Sequence, residues 1–196
     1  MQRKEKAILL LRKLEKMYPD ARTELINWDT PFQFLVCIVL SAQTTDKQVN
    51  KVTKDLFEIY PDGYTMSLAP VRELEKCISS INYYKTKAKN IKRMSEILIK
   101  EYAGEIPISL EKLLELPGVG YKTANVFLNE LYKVNQGIAV DTHVKKVSLK
   151  YGLTSNTDPN KIAKDLERLY PREEWYKINR YFVMYGRYDF DKDIIF

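Results

Sequence analysis

The sequence predicts an all-α fold of short helices joined by tight turns. Apolar residues recur at helical spacing through most of the chain, beginning with Ala7, Leu11 and Leu14 on one face of a first helix. Helix-start signals, in which threonine, serine or aspartate precedes proline or glutamine, occur at several points. No stretch shows sustained alternation of apolar and polar residues with hairpin turns, so we expect no strand.

Each predicted helix follows from its start signal. Thr30 precedes Pro31 and FQFLVCIVL, a run that is apolar nearly all round and therefore predicted to lie in the core. Gln33 and Gln48 stand three residues after Thr30 and Thr45, the spacing of a capping box, and the second helix ends near Tyr60. A further helix is predicted to start with Pro70 in its first helical position. The remaining predicted helices cover about 85–102, 109–116, 121–132, 142–151, 158–170 and 173–188.

Size and charge limit the function. The 196 residues suffice for one large domain or two small lobes, and the 45% hydrophobic content is typical of a globular protein. A net charge of +6 favours a polyanionic partner without proving one. No apolar run approaches the roughly 20 residues of a membrane helix, and no signal-peptide core is found. We therefore expect a cytoplasmic protein, associated with the nucleoid if its source is prokaryotic.

The two cysteines point away from metal and disulfide chemistry. Cys37 and Cys77 lie in apolar contexts, and no C-x-x-C pattern occurs. A disulfide scaffold or a cysteine-ligated metal site is therefore not expected, and both residues are predicted to be buried thiols.

A turn between two predicted short helices could hold a phosphate. In LPGVG, residues 116–120, the proline ends one helix, and the glycines permit positive φ and close approach of another backbone. The next helix then begins with N–H groups outside its own ladder and a positive dipole end, which suits a phosphate. Such contacts fix the register on DNA without reading sequence. Alone, the motif is more often an ordinary corner between helices.

Lys122 and Asp141 are the candidate catalytic pair. A lysine amine must lose its proton to act as a nucleophile, and the positive helix end at Lys122 opposes the charged form. Asp141 precedes a predicted helix as a plausible N-cap, where its carboxylate could stabilise positive charge that develops on a deoxyribose as a base departs. Singly, each residue is usually only solvated or only a cap. Together, after the hairpin, they favour catalysis.

Several segments resemble the helix-hairpin-helix-GPD superfamily of DNA base-excision glycosylases, and its endonuclease III-like members most of all. LPGVGYKTANVFLN…IAVDTHV resembles the hairpin and catalytic region, and PFQFLVCIVLSAQTTDKQVNK resembles the early core helix with its S-A-Q-x-T-D loop. INYYKTKAKNI resembles the segment that carries the DNA wedge, and YFVMYGRY resembles the last conserved helix. The resemblance thus covers nearly the whole chain.

The resemblance implies a fold and a set of site residues. It implies a helical lobe of about residues 22–134, a second lobe from 1–21 with 135–196, and a DNA-binding cleft between them. Lys122 would be the Schiff-base nucleophile and Asp141 the catalytic carboxylate. The residues implied to contact DNA are Gln43, which would enter the duplex, Tyr83 as a wedge, Lys87, Gly118, Val119, Gly120, Thr123 and His143. Structural roles stay open as alternatives for four of these residues. Gln43 could be an ordinary loop amide and Tyr83 a partly buried tyrosine. Lys87 could be a solvated lysine, and His143 could make only local hydrogen bonds.

The chain departs from the family in two places. Endonuclease III-like proteins usually end in four cysteines that hold an iron–sulfur cluster, whereas GRYDFDKDIIF, residues 186–196, contains none. We therefore expect no cofactor and no cysteine-ligated cluster. Tyr121 stands where family members often have arginine, which weakens the positive charge near the hairpin.

The predicted function is a bifunctional DNA glycosylase and AP lyase that acts as a monomer on damaged double-stranded DNA. It would remove damaged bases, oxidised pyrimidines such as thymine glycol by the resemblance, and nick the strand 3′ to the site by β-elimination from a lysine Schiff base. Two alternatives stay open. One is a monofunctional mismatch glycosylase, against which Lys122 argues, and the other is a non-catalytic DNA-binding module.

Overall fold

The computed structural model describes residues 2–196 and is all-α over that range, as predicted. No strand occurs among the described residues. A 3₁₀ turn at Arg172–Glu174 precedes the last helix. The helices are α1 (Arg3–Met17), α2 (Pro31–Ser41), α3 (Asp46–Ile59), α4 (Gly63–Leu68), α5 (Val71–Cys77), α6 (Tyr84–Tyr102), α7 (Leu110–Leu114), α8 (Tyr121–Tyr132), α9 (Thr142–Lys150), α10 (Pro159–Leu169) and α11 (Trp175–Tyr188).

The predicted N-caps of α2, α3 and α10 are confirmed. Thr30, Thr45 and Asp158 each accept a hydrogen bond from the backbone N–H three residues on, at 3.2, 3.3 and 3.0 Å. Each bond satisfies one of the N–H groups that the first helical turn leaves outside the ladder. These helices therefore begin where local sequence alone places them.

The two glutamines of the predicted capping boxes have other partners. Gln33 Oε1 accepts from the backbone N–H of Asp29, one residue before the cap, at 2.7 Å. Gln48 Nε2 donates to Ser80 Oγ at 2.5 Å. The predicted hydrogen bond from each N-cap N–H back to the glutamine side chain is therefore wrong, because the side-chain amide of each glutamine bonds to a different residue.

One helix and two helix boundaries differ from the prediction. The short helix α4 was not predicted, and its complete capping box joins Asp62 to Thr65 rather than to the usual glutamate or glutamine. Pro70 is the extended N-cap of α5, with ψ 131°, and not its first helical residue. α7 ends at Leu114, two residues earlier than predicted, because the chain then tightens into i→i+3 bonds such as Leu116 N–H to Leu113 O.

The described chain divides into two compact units. Residues 24–127 form one, called the central unit below, and residues 2–23 with 128–196 form the other, called the terminal unit. The dividing point falls inside α8, so this helix contributes residues to both. The predicted lobe boundaries stay a prediction, because a compact unit is not thereby shown to fold as a domain.

The core of the central unit is built around α2. Its residues Phe32 to Leu40 are all buried, as the apolar composition of this helix predicts. α6 contributes Ala88, Ile91, Met94 and Leu98, and the Phe127 ring of α8 stacks on Phe34 with centroids 6.2 Å apart. This packing holds the start of α6 and the hairpin before α8 against the end of α2.

The core of the terminal unit combines α1 with the three helices that follow α8. Its buried apolar residues are Ala7, Leu10, Leu11, Leu14, Ile138, Val140, Val144, Val147, Tyr151, Leu153, Ile162, Ala163, Leu166, Tyr170, Ile178, Phe182 and Tyr185. The N-terminal helix is thus folded together with the last third of the chain. Among residues 2–196, none of the helices combines the length and the apolar character that a membrane span requires.

Candidate active site

The turn between α7 and α8 is held close to α2 and α6. Gly118 has φ +84°, a left-handed conformation that favours glycine. A Cβ on Gly118 would lie 3.2 Å from the Asn90 side chain and 3.3 Å from Val39 Cγ1. Both its backbone conformation and its packing therefore require glycine, which fixes the position of the turn within the central unit.

The two residues after Gly118 face opposite environments. Val119 is buried at 5% exposure, and its N–H donates to Leu116 O at 3.1 Å. Its side chain therefore fills the core and its N–H closes the turn, and the predicted phosphate contact of Val119 stays a prediction. Gly120 has no heavy atom within 4 Å of the place where a Cβ would stand. Its backbone is the open part of the hairpin.

α8 begins directly at this open backbone. The first N–H that closes a helical bond is that of Ala124, which donates to Gly120 O at 2.9 Å. Earlier N–H groups of the turn lie outside the helical ladder, where an anion is favoured. Thr123, predicted to contact DNA, is half-buried in this first turn.

Lys122 is the second residue of α8 and is exposed. The residues that follow in the same turn, Ala124 and Asn125, are fully buried, and the Asn125 Nδ2 donates to Tyr121 O at 2.9 Å. The buried side of α8 therefore fixes the helix, while Lys122 lies on its solvent-facing side. A lysine so placed is accessible to a ligand held by the hairpin.

Asp141 is the N-cap of α9, as predicted. Its Oδ1 accepts from the backbone N–H of His143 at 2.9 Å and of Val144 at 2.8 Å. Two hydrogen bonds from the start of a helix hold a carboxylate in one orientation and stabilise its negative charge. Lys122 belongs to the central unit and Asp141 to the terminal unit, and their joint action stays a prediction.

His143 is used for packing. Its side chain lies against Gly186 of α11, and its Nδ1 is buried without a hydrogen-bond partner among the described residues. Its backbone N–H, not its ring, contacts the Asp141 carboxylate. The predicted DNA contact of His143 stays a prediction. Its position favours a role in packing α9 against α11.

Gln43 and Tyr83, the two residues predicted to enter the duplex, are exposed on turns of the same unit. Both have left-handed backbones, with φ 56° and 58°, and the side chain of Tyr83 is 67% exposed. A left-handed backbone costs a non-glycine residue about 1–2 kcal/mol, so the surrounding contacts must hold it. Asn82 supplies one such contact by donating from Nδ2 to Gln43 O.

Lys87, which was predicted to contact DNA with a solvated lysine as the alternative, is buried. It is only 6% exposed, and its Nζ donates to Leu40 O, Ala42 O and Thr44 Oγ1 at 2.8, 2.6 and 3.4 Å. Burial lowers the pKa of this ammonium below the ordinary lysine value. The group is occupied by the end of α2 and is therefore placed to hold the loop rather than a phosphate.

Sequence reasoning missed the structural roles of Asn82 and Lys87. An asparagine beside a turn is an ordinary turn residue, and a lysine on a charged helix is usually solvated. The partners of Lys87 lie more than 40 positions earlier in the chain. No local pattern marks such contacts.

The C-terminal segment does not fit a cysteine-ligated cluster. Residues 186–196 contain no cysteine, and both cysteines of the chain belong to the central unit. Cys37 is buried, and burial raises the pKa of its thiol to about 12. Cys77 is half-buried rather than buried as predicted, and burial also raises its thiol pKa. No group of three or more potential metal ligands occurs in residues 2–196.

Lys150 fastens this segment instead. Its Nζ donates to Tyr185 OH at 3.0 Å, to Phe190 O at 2.5 Å and to Lys192 O at 3.1 Å, and it pairs with Asp193 at 3.0 Å. Burial opposes the charge, but the contacts with Tyr185 and Asp193 outweigh it and raise the pKa of Lys150. A buried bond of 2.6 Å also joins Tyr185 OH to the hydroxyl of Tyr151, which in turn accepts from Ile194 N–H at 3.0 Å.

Comparison with known proteins identifies the family of this site. The profile of the HhH-GPD superfamily of base excision DNA repair proteins matches residues 36–172. Endonuclease III of Synechocystis sp. is 42% identical over 185 residues, which cover 94% of this chain and 84% of the relative. Endonuclease III of Bacillus subtilis is 41% identical over 179 residues, with 91% and 81% covered.

Solved structures of endonuclease III are similar to this chain in fold as well as in sequence. A trapped covalent intermediate of an endonuclease III with DNA has a TM-score of 0.90 at 42% identity, and covers 96% of this chain and 88% of its own. A non-covalent endonuclease III–DNA complex has a TM-score of 0.89 at 42% identity, with 96% and 87% covered. A thermostable thymine-DNA glycosylase, with a TM-score of 0.80 at 20% identity over 94% and 87%, shares the fold.

Proposed function

Because this chain belongs to the HhH-GPD superfamily of base excision DNA repair proteins, we propose that Lys122 and Asp141 form its reaction centre. The protein is a base excision repair DNA glycosylase with AP lyase activity, and its partner is DNA. One observation carries the assignment of the nucleophile. Lys122 is an exposed amine in the first turn of α8, directly after the open backbone of Gly120.

The target nucleotide must leave the stack before the amine can reach it. A glycosidic carbon inside a duplex is inaccessible to a side chain, so the nucleotide is extruded. Phosphates beside the extruded nucleotide bind at the start of α8, where the N–H groups and the helix dipole favour an anion. This contact sets the distance between the Lys122 nitrogen and the deoxyribose.

The chemistry then proceeds through a covalent lysine intermediate. The neutral amine of Lys122 forms a bond to C1′ as the bond from C1′ to the base breaks, and the base leaves with the electron pair and takes up a proton. Opening of the sugar ring converts the adduct into an imine. Loss of a proton from C2′ and departure of the 3′ phosphate oxygen from C3′ complete a β-elimination that nicks the strand 3′ to the lesion.

Asp141 supports this reaction with a fixed negative charge. Positive charge develops on the sugar as the base departs, and a carboxylate held by two helix N–H groups needs no reorientation to stabilise it. The same carboxylate can accept or return a proton in the later steps.

We further propose that the substrates are oxidised pyrimidines such as thymine glycol and that the reaction uses no cysteine-ligated iron–sulfur cluster. Gln43 and Tyr83 would fill the space that the extruded nucleotide leaves, and an exposed aromatic ring can stack on the neighbouring bases. The contacts of Lys150 fasten the C-terminal segment that a cluster would otherwise organise. The cytoplasmic location and the monomeric state stay predictions.

A panel of duplex oligonucleotides tests this function. Each duplex carries one lesion (thymine glycol, an abasic site, a mismatched adenine or a mismatched thymine), and base release and strand cleavage are measured separately. The proposal expects release and a 3′ nick at thymine glycol and a nick at the abasic site. Base release without a nick would favour the monofunctional mismatch glycosylase, and no release or nick on any duplex would favour a non-catalytic DNA-binding module.

A further inference from the structure

Two exposed turns of the central unit approach one another. Gln43 lies between α2 and α3, and Tyr83 lies at the start of α6. Both backbones are left-handed, and Tyr83 is largely exposed. Neither turn contains glycine at these positions, so their conformations depend on contacts with the rest of the unit.

A buried ammonium supplies three of these contacts. Lys87, in the first turn of α6, reaches back to α2 and donates to Leu40 O and Ala42 O, which are carbonyls that the end of that helix leaves outside its ladder. A third bond reaches Thr44 Oγ1 at 3.4 Å. The residues contacted therefore lie on both sides of Gln43.

The charge of Lys87 is unusual for a buried site. All its partners are neutral oxygens, and no carboxylate in residues 2–196 pairs with it. Burying an ammonium is costly unless its hydrogen bonds are satisfied, and a methionine of similar length would fill the space without that cost. The ammonium is therefore better explained by the carbonyls that it holds than by core packing.

Two further contacts join the same segments. Asn82 donates from Nδ2 to Gln43 O, and Gln48 donates from Nε2 to Ser80 Oγ at 2.5 Å. The loop after α2 and the first turn of α3 are thus linked to residues before and within α6 by Lys87, Asn82 and Gln48. Rotation of one turn without the other would break at least one of these links.

We propose that Lys87 is a positioning residue, which holds the turns of Gln43 and Tyr83 at a fixed spacing so that both side chains enter the duplex as one preformed unit. This role rests on the proposed function, because it presumes that Gln43 and Tyr83 occupy the space of an extruded nucleotide. Lys87 acts through the loop and does not touch the reacting atoms. It should matter only where a stacked, paired nucleotide has to be displaced.

An effect confined to paired DNA distinguishes a positioning role of Lys87 from a general contribution to the stability of the fold. An abasic site in single-stranded DNA has no opposite strand to separate and no paired stack to fill. Loss of Lys87 should therefore slow cleavage of an abasic site in duplex DNA and leave cleavage of the same single strand unchanged. A defect in folding or in the lysine chemistry would slow both.

The test compares Lys87→Met with the matched control Lys100→Met, which changes an exposed lysine near the other end of α6. Single-turnover nicking is measured on one abasic oligonucleotide, alone and annealed to its complement. We expect Lys87→Met to lower the duplex rate about tenfold or more, and the single-strand rate less than about twofold, since small misplacements of positioned groups cost large rate factors. Lys87→Arg, which keeps a charged donor, should recover part of the duplex rate.

Equal losses on both substrates, or an unchanged duplex rate, would overturn the role of Lys87. If Lys87→Met does not fold, Asn82→Ala decides, because this exposed residue contributes only one of the links and should give a smaller loss confined to the duplex. A wild-type protein that nicks neither substrate would instead overturn the proposed function itself. A wild type active on both, with variants indistinguishable from it, would overturn only the positioning.

Discussion

Gly186 of α11 lies directly against His143 of α9. A Cβ on Gly186 would stand 2.8 Å from the His143 Cβ, 3.1 Å from its Nδ1 and 3.3 Å from its Cα. The two helices can approach this closely only because residue 186 has no side chain. Since α9 begins immediately after Asp141, the same contact helps to fix where that carboxylate lies within the terminal unit.

Gly186→Ala should destabilise the protein and slow the reaction. Alanine in a helix is ordinarily better than glycine by about 1 kcal/mol, but overpacking costs about 1–3 kcal/mol, and the atoms it would meet include the Cα and Cβ of His143. We expect a net loss in the free energy of unfolding, measured with urea, and a lower single-turnover nicking rate. A variant as stable as the wild type would show that α9 can shift away without cost.

Asp141→Asn should separate capping from catalysis. Asparagine caps a helix about as well as aspartate, so the free energy of unfolding should change by less than about 1 kcal/mol. Loss of the charge should lower the nicking rate about a hundredfold. Asp141→Ala is the matched comparison, because it loses the cap as well and should be less stable by about 1 kcal/mol. Full turnover by Asp141→Asn would remove Asp141 from the reaction centre.

Asp165 should make the terminal unit sensitive to acid. Hydrogen bonds from Thr154 Oγ1 at 2.5 Å and Asn156 Nδ2 at 2.7 Å lower the pKa of its carboxyl. A lowered folded-state pKa contributes stability that is present above the unfolded value and is lost as the pH falls through the folded value. Asp165→Asn should therefore be less stable than the wild type by about 1–3 kcal/mol at neutral pH.

The difference should shrink as the pH falls below about 4, the ordinary range of aspartate. Urea unfolding of both proteins across that range measures it. A difference that stays constant with pH would mean that the hydrogen bonds do not depend on the charge of Asp165.

Lys150 should contribute strongly to the stability of the terminal unit. Lys150→Met would remove the ammonium that donates to Phe190 O and Lys192 O of the C-terminal segment and to Tyr185 OH. Hydrogen bonds to charged groups are worth about 1.5–3 kcal/mol, so a loss of about 2 kcal/mol is expected in urea unfolding, with earlier proteolysis after Phe190. Lys16→Met, which changes an exposed lysine of α1, is the control. Equal stability of the two variants would show that Lys150 does not fasten the segment.

Local signals were enough to predict most of the helices and the positions of Lys122 and Asp141 on them. Proline and glycine in residues 116–120 fix where α8 begins, and a capping aspartate fixes where α9 begins, so the places of Lys122 in the first turn of α8 and of Asp141 at the N-cap of α9 follow from sequence alone. Their roles in the reaction stay a prediction. The short α4 was missed because Asp62 pairs with a threonine, which is an uncommon partner in a capping box.

Contacts between distant segments could not be predicted in the same way. The need for glycine at position 186 arises from His143, which stands 43 positions earlier on another helix. The ammonium of Lys87 is buried because carbonyls of α2 surround it, whereas its neighbours in sequence are typical of an exposed helix. Periodicity predicts which face of a helix is buried, but it does not predict which polar groups of other segments will contact that face.

Trapping of the covalent intermediate tests the reaction centre most directly. Borohydride is added during the reaction with an abasic duplex, and the cross-linked peptide is identified by mass spectrometry. The wild type should yield one stable complex whose DNA is attached to Lys122, and Lys122→Ala should yield none. A complex formed by Lys122→Ala at the wild-type yield, or attachment to a different lysine in the wild type, would contradict the assignment.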